Sequence, residues 1–241
     1  MSEIKQKPIL FSASMVRAIL DGRKTVTRRP VKGLKTDNPV VDAFDDSPLI
    51  GACWDIGGPV IRSPYGLPGD RLYARETFMD LQGTGVEHRP DPNGPLQRYA
   101  YRADCPTGSH SDEARKDFGL KWKPSIHMPR AACRILLEIT AVRVERLQDI
   151  TEAQAMAEGC FFTDYGRKCG HGGNGWQEVG DCPAPKEYHP QRDGWMWDST
   201  TSHEQCLGSA RNAFGNLWNS TGGDWDANPW VWVVEFKRVT P

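Results

Sequence analysis

The sequence predicts an α+β fold, mostly β, built from short strands, isolated helices and long irregular insertions. Three observations carry this expectation. Apolar residues alternate over short runs bounded by Gly, Pro and Asp, as they do in half-buried strands. The helical segments are isolated and do not alternate with strands in the manner of a doubly wound parallel sheet. Neither GxGxxG nor the phosphate-cradling GxxxxGK[ST] occurs, so no nucleotide cofactor is indicated.

Taken in order, Ser12 to Asp21 carries Met15, Val16, Ile19 and Leu20 at helical spacing, with Ser12 or Ser14 as N-cap. Gly22 suits the left-handed position that closes a helix. The next residues, Arg23-Lys24-Thr25-Val26-Thr27-Arg28-Arg29-Pro30, are basic and β-branched, so their cations emerge at a helix-to-strand junction. A Pro/Asp/Gly-rich excursion without periodicity covers about 31–68. Gly69-Asp70 then opens a strand from Arg71 to Phe78, and Tyr99 and Tyr101 mark a short strand. Asp112 to Phe118 reads as a helical turn. Ala132 to Leu147 is the longest strand, and its alternation slips near Val142 and Val144, which suggests a bulge or bend. Thr151 caps a helix that runs to Glu158. A last helix is expected from about Ser202 to Trp218 despite Gly208, before a final strand from Pro229 to Phe236.

Composition sets the limits. A chain of 241 residues, 38% hydrophobic and 25% charged, is ample for a packed core. No apolar run reaches membrane-spanning length, and Met1 to Gln6 lacks the apolar core of a signal peptide. Seven scattered cysteines point to a reduced cytoplasmic compartment rather than a disulfide framework. The net charge of −1 hides an asymmetry. Lys5, Lys7, Arg17, Arg23, Lys24, Arg28, Arg29, Lys32 and Lys35 face only Glu3 and Asp21, while Asp37, Asp42, Asp45, Asp46 and Asp55 follow with no cation among them. Nonspecific duplex binding is disfavoured by that acidic stretch; a small polar substrate or a short RNA segment fits better.

The stretch Leu20 to Pro30, together with Gly69-Asp70-Arg71-Leu72-Tyr73, Ile150 to Gly159 and Pro229 to Phe236, resembles the ASCH domain family. The resemblance implies a small β-barrel similar to the PUA domain, here a single domain with insertions at about 31–68, 79–130 and 160–202. Small bacterial members that resemble this chain at the motif hydrolyse N4-acetylcytidine to cytidine and acetate with a lysine, a threonine and a glutamate. The resemblance places these on Lys24 and Thr27, within GRK-x-x-T, and on Glu158, at the end of the helix opened by Ile150-Thr151-Glu152; an arginine falls on Arg29. It implies an amidohydrolase acting on a modified pyrimidine nucleoside, with no cofactor and no resident metal. A non-catalytic RNA-binding module is the alternative, and a ribonuclease is disfavoured by the lack of an evident His pair. The insertions resemble those of larger, phage-associated ASCH proteins.

These residue types suit amide cleavage. A threonine hydroxyl becomes nucleophilic only as a base removes its proton. Lys24 can be that base if burial or cations such as Arg23, Arg28 and Arg29 favour its neutral form; alternatively Glu158 takes the proton and Lys24 stabilises the oxyanion. In a regular strand positions 24 and 27 face opposite ways, so Lys24 must precede the strand or a bulge must intervene. Arg23, Arg29, Glu76 and His127 are candidate substrate contacts, with a buried ion pair as the alternative for Glu76 and a structural role for His127. Trp218, Trp225, Trp230 and Trp232 read as core. Between Cys160 and Cys206, Cys169-Gly170-His171 brings two zinc ligands close, and Cys182 or Cys160 would complete a tetrahedral site. No CxxC pair supports it, and an ordinary loop or lid anchored by Trp176, Trp195 and Trp197 is the competing reading.

Overall fold

The computed structural model describes residues 4–36, 38–41, 51–91, 93–171, 175, 177–180, 182 and 184–240. The chain packs as two compact units, Met1–Glu145 with Trp230–Pro241, and Arg146–Pro229.

The first unit holds β1 (Gln6–Leu10), α1 (Ala13–Leu20), β2 (Val26–Pro30), β3 (Val40–Val41), β4 (Ala52–Trp54), β5 (Ile61–Arg62), β6 (Arg71–Arg75), β7 (Phe78–Asp80), β8 (Tyr99–Tyr101), α2 (His110–Asp117), β9 (Leu136–Arg146) and, after the second unit, β13 (Trp230–Val239). Its main sheet runs β1-β6-β9-β13-β2. β1 and β6 are parallel, while β6 with β9 and β13 with β2 are antiparallel. Ile9, Leu72, Ala74, Leu137, Ile139, Trp232, Val234 and Phe236 form the core with Val16 and Ile19 of α1. Ser12 caps α1 by accepting from the Met15 N–H, and Gly22 closes it at φ +75°. Asp70 ties the turn before β6 to β1 by accepting from the N–H groups of Lys5 and Leu67.

The result is an α+β fold, as expected, but the sheet is open among the described residues. Its two end strands meet through a side chain, Arg29 Nη2 donating to the Leu10 carbonyl at 2.6 Å, and not through a backbone ladder. The strand expected from Arg71 to Phe78 also breaks. At Glu76 the backbone N–H turns to Met128 Sδ, and Phe78 pairs instead with Tyr101 in a separate β7–β8 hairpin sheet. The slip in β9 is present: burial falls on Leu137 and Ile139, then changes phase to Val142 and Val144. Gly51 packs there, where an added Cβ would come within 2.8 Å of Val142.

The second unit contains α3 (Glu152–Ala157), β10 (Phe161–Cys169), β11 (Gln177–Glu178), β12 (Gln191–Met196) and α4 (Ala210–Ser220). A reciprocal capping box between Thr151 and Gln154 starts α3. α3 packs on α4, whose Phe214 meets Trp218 and Trp225 at ring-centroid distances of 6.2 and 6.1 Å. The last helix begins later than expected. Leu207 exchanges both backbone hydrogen bonds with Trp195 of β12, which holds this stretch extended until Ser209 caps α4. β10 pairs antiparallel with β11 and β12 and shifts register at Gly166. No helix among the described residues is long and apolar enough to cross a membrane.

Candidate functional site

Part of the basic junction is buried in the first unit, at Lys24, Thr27 and Arg28. After Gly22, the Lys24 N–H donates to the Ala18 carbonyl, so Lys24 lies before β2 and outside its alternation. Its side chain is 2% exposed, its Nζ donates to the Val26 carbonyl at 2.8 Å, and it stands 5.9 Å from the centre of the Phe11 ring. Arg29 approaches the same ring at 5.6 Å. Thr27, also 2% exposed, pairs with Val234, and Arg29 pairs with Trp232. Residues directly opposite in an antiparallel pair share a face, so Thr27 and Arg29 lie on the core face with Val234 and Trp232. The spacing problem is thereby resolved by the turn and without a bulge: Lys24, Thr27 and Arg29 all address the Phe11–Phe236 side of the sheet.

Arg28 takes the other face. Its guanidinium reaches Glu145 at 3.3 Å, and Arg143 bridges Glu145 to Glu235. Near the end of β2 lies a cavity of about 380 Å3, lined by Pro30, Lys32, Ile61, Arg62, Pro64, Tyr65 and Trp232. That volume lies in the range of small-molecule sites. Burial pushes the Tyr65 hydroxyl up, and the Arg29 cation opposes that shift. Trp232, opposite Arg29, joins the basic strip to this cavity; Lys24 and Thr27 do not line it.

Of the remaining sequence-predicted residues, Glu158 belongs to the second unit and Glu76, His127 and Arg23 to the first. Glu158 is the C-cap of α3 and 3% exposed, a helix end where a carboxylate gains nothing from the helix dipole. Glu76, 1% exposed, is held by Arg134 Nε and Nη2 at 2.9 and 3.0 Å, and the same arginine grips Asp104 at 2.7 and 3.0 Å. Burial raises the Glu76 carboxyl above its usual range while Arg134 pulls it back. The ion-pair alternative describes Glu76, whose carboxylate is occupied. His127 is exposed at the end of a short 3-10 turn, and Arg23 pairs with Asp21 at 2.8 Å on the surface.

In the second unit Cys169, His171, Cys182 and His189 come together, with one ligand atom of each within 4.8 Å of the others. Cys169 Sγ lies 3.7 Å from Cys182 Sγ and 2.7 Å from His171 Nδ1, and Cys182 Sγ lies 3.4 Å from His171 Nδ1. Cys160 is not in this group; it is buried after α3, its N–H bonded to the Ala155 carbonyl. Sequence reasoning did not place His189 among the ligands, because a single His between a tyrosine and a proline carries no ligand spacing of its own. Lys32, Arg62 and Tyr65 were missed because they fall in the aperiodic excursion. Of the supposed lid anchors, Trp195 stacks edge-on with Phe162 and Trp197 donates to Asn216, while Trp176 lies outside the described residues.

Compared with family models, with curated proteins and with solved structures, the chain finds no match. Fold and site together define an α+β protein with buried Lys24 and Thr27 beside a half-buried Arg29 in one unit and a Cys2His2 group in the other.

Proposed function

We propose that this protein hydrolyses the acyl amide of N4-acylated cytidines through Lys24, Thr27 and Glu158, on a sheet of the PUA-like type. The observation that supports this most is the burial of Lys24 and Thr27 on one face, with Arg29 sharing the Phe11 ring. Lys24 Nζ is held at the Val26 carbonyl, which fixes a buried ammonium group beside the strand that carries Thr27. The side-chain bridge from Arg29 to Leu10, closing toward β1, supports the barrel-like reading of the sheet. The cavity beside Trp232, Tyr65, Lys32 and Arg62 offers aromatic walls for a pyrimidine ring and cations for its polar substituents.

In this reading the Thr27 Oγ1 attacks the acyl carbonyl as its proton passes to a base. The C–N bond breaks, the N4 amine leaves with a proton as cytidine, and water then cleaves the acyl-threonine ester to release the acid. Lys24 and Glu158 divide the roles of base and oxyanion partner. The pH–rate profile of Glu158→Gln separates the assignments: loss of the acidic limb of kcat marks Glu158 as the base.

The test is ultraviolet-monitored hydrolysis of N4-acetylcytidine and longer N4-acyl homologues by the folded wild type. Turnover is expected. Its absence across the acyl series, with salt-sensitive binding of single-stranded RNA instead, would replace the enzyme with an RNA-binding module.

A further inference from the structure

The group in the second unit has the composition and the dimensions of a metal centre. Two thiols and two imidazoles are the donor set of a tetrahedral structural zinc site. With zinc–sulfur bonds of about 2.3 Å and zinc–nitrogen bonds of about 2.0–2.1 Å, tetrahedral geometry separates two sulfurs by about 3.8 Å and a sulfur from a ring nitrogen by about 3.6 Å. The observed 3.7 Å between Cys169 and Cys182, and 3.4 Å between Cys182 and His171, match those edges. The 2.7 Å between Cys169 and His171 is a hydrogen-bond distance that an ion between them would open.

A second observation points the same way. Nε2 of His189 is buried, the residue being 6% exposed, and has no hydrogen-bond partner among the described residues. An imidazole nitrogen left bare in the interior costs free energy, and a bound cation removes that cost. The surroundings explain the need. β10 alternates between half-buried and exposed positions until Cys169, its one fully buried residue. Cys169 ends β10, and His189 stands two residues before β12, so a shared ion would tie together the open ends of two paired strands.

We infer that Cys169, His171, Cys182 and His189 bind one zinc ion that staples the β10–β12 sheet. Four protein donors fill the tetrahedron, leaving no open position for water or substrate, so the site is structural and independent of the amidohydrolase reading. The competing chemistry is a Cys169–Cys182 disulfide, which would leave both histidines without a role.

The direct experiment is a cobalt(II) titration of the metal-stripped full-length protein under reducing conditions, followed by displacement with zinc. One equivalent is expected to produce the intense visible bands of tetrahedral cobalt and near-ultraviolet thiolate charge transfer, both erased by zinc. Cys182→Ser should roughly halve the charge-transfer intensity and weaken binding about a hundredfold or more, beyond the loss typical of a merely supporting residue. His171→Ala, at an exposed position that leaves the packing intact, should weaken binding while preserving both thiolate bands; Cys206→Ser should change nothing. Absence of the tetrahedral spectrum in the wild type, equal binding by Cys182→Ser and wild type, or a Cys169–Cys182 disulfide in protein kept reduced would each overturn the inference.

Discussion

The main sheets of the two units use the same alternation of side chains and reach different ends. β13 buries four consecutive residues, Val231 to Val234, and β9 buries residues on both sides of its phase change, so the first unit stands on apolar burial. That surplus tolerates Lys24, Thr27, Arg28 and Glu76 in the interior. β10 has no such surplus, and its buried end residue is a cysteine beside two histidines and a second cysteine. Where burial suffices, a fold carries costly polar groups for chemistry; where it falls short, polar groups are recruited as crosslinks.

The two units should differ most when metal is removed. Chelation of the reduced protein should collapse amide protection across β10 and β12 while leaving β6, β9 and β13 protected, as read by hydrogen exchange. Alkylation sharpens the same contrast. Cys53 is fully buried, and burial, with Asp55 adding to it, pushes its thiol up to about 11, so it should stay unlabelled at neutral pH with or without chelator. Cys169 and Cys182 should label only after chelation. If all three label together, the units do not differ in the way described.

A smaller effect is expected from the core of the first unit. Leu137→Ala, at a position with no exposure, should cost about 2–5 kcal/mol in urea unfolding. That loss should be the same with and without chelator. The smallest effect concerns the surface pair of Asp80 and Arg98, joined at 2.7 and 2.9 Å. Hydrogen bonding from Arg98 holds the Asp80 carboxyl down to about 2. Because the folded value lies below the unfolded value of about 3.9, the pair stabilises the protein above that pH and loses its contribution as pH falls through about 2. Asp80→Asn should therefore cost under about 1 kcal/mol at pH 7 and nothing near pH 1.5, seen as a difference between the two acid-unfolding curves.

Much of this was legible in the sequence because local chemistry decided it. Ser12, Gly22 and Thr151 set helix ends by capping and by a left-handed turn, and the hydrophobic slip in β9 announced its change of face. The need for Lys24 to precede β2 also followed from strand periodicity. Long-range pairing was not legible. Nothing near Glu76 announces that Met128 and Arg134 will break the strand there, and nothing near Leu207 announces that Trp195 will delay α4. The zinc ligands were half visible: Cys169 and His171 are neighbours in sequence, whereas His189 joins them only through the β10–β12 pairing.

The most direct test of the central claim is the kcat/KM of Lys24→Met and Thr27→Val on N4-acetylcytidine, measured beside their thermal midpoints. Both substitutions retain the buried volume and remove the reactive group. A loss of about a hundredfold or more is expected in each, the scale of a lost acid–base or nucleophilic group, with midpoints close to the wild type. Full activity in either folded variant would contradict it and return the buried strip to a purely structural role.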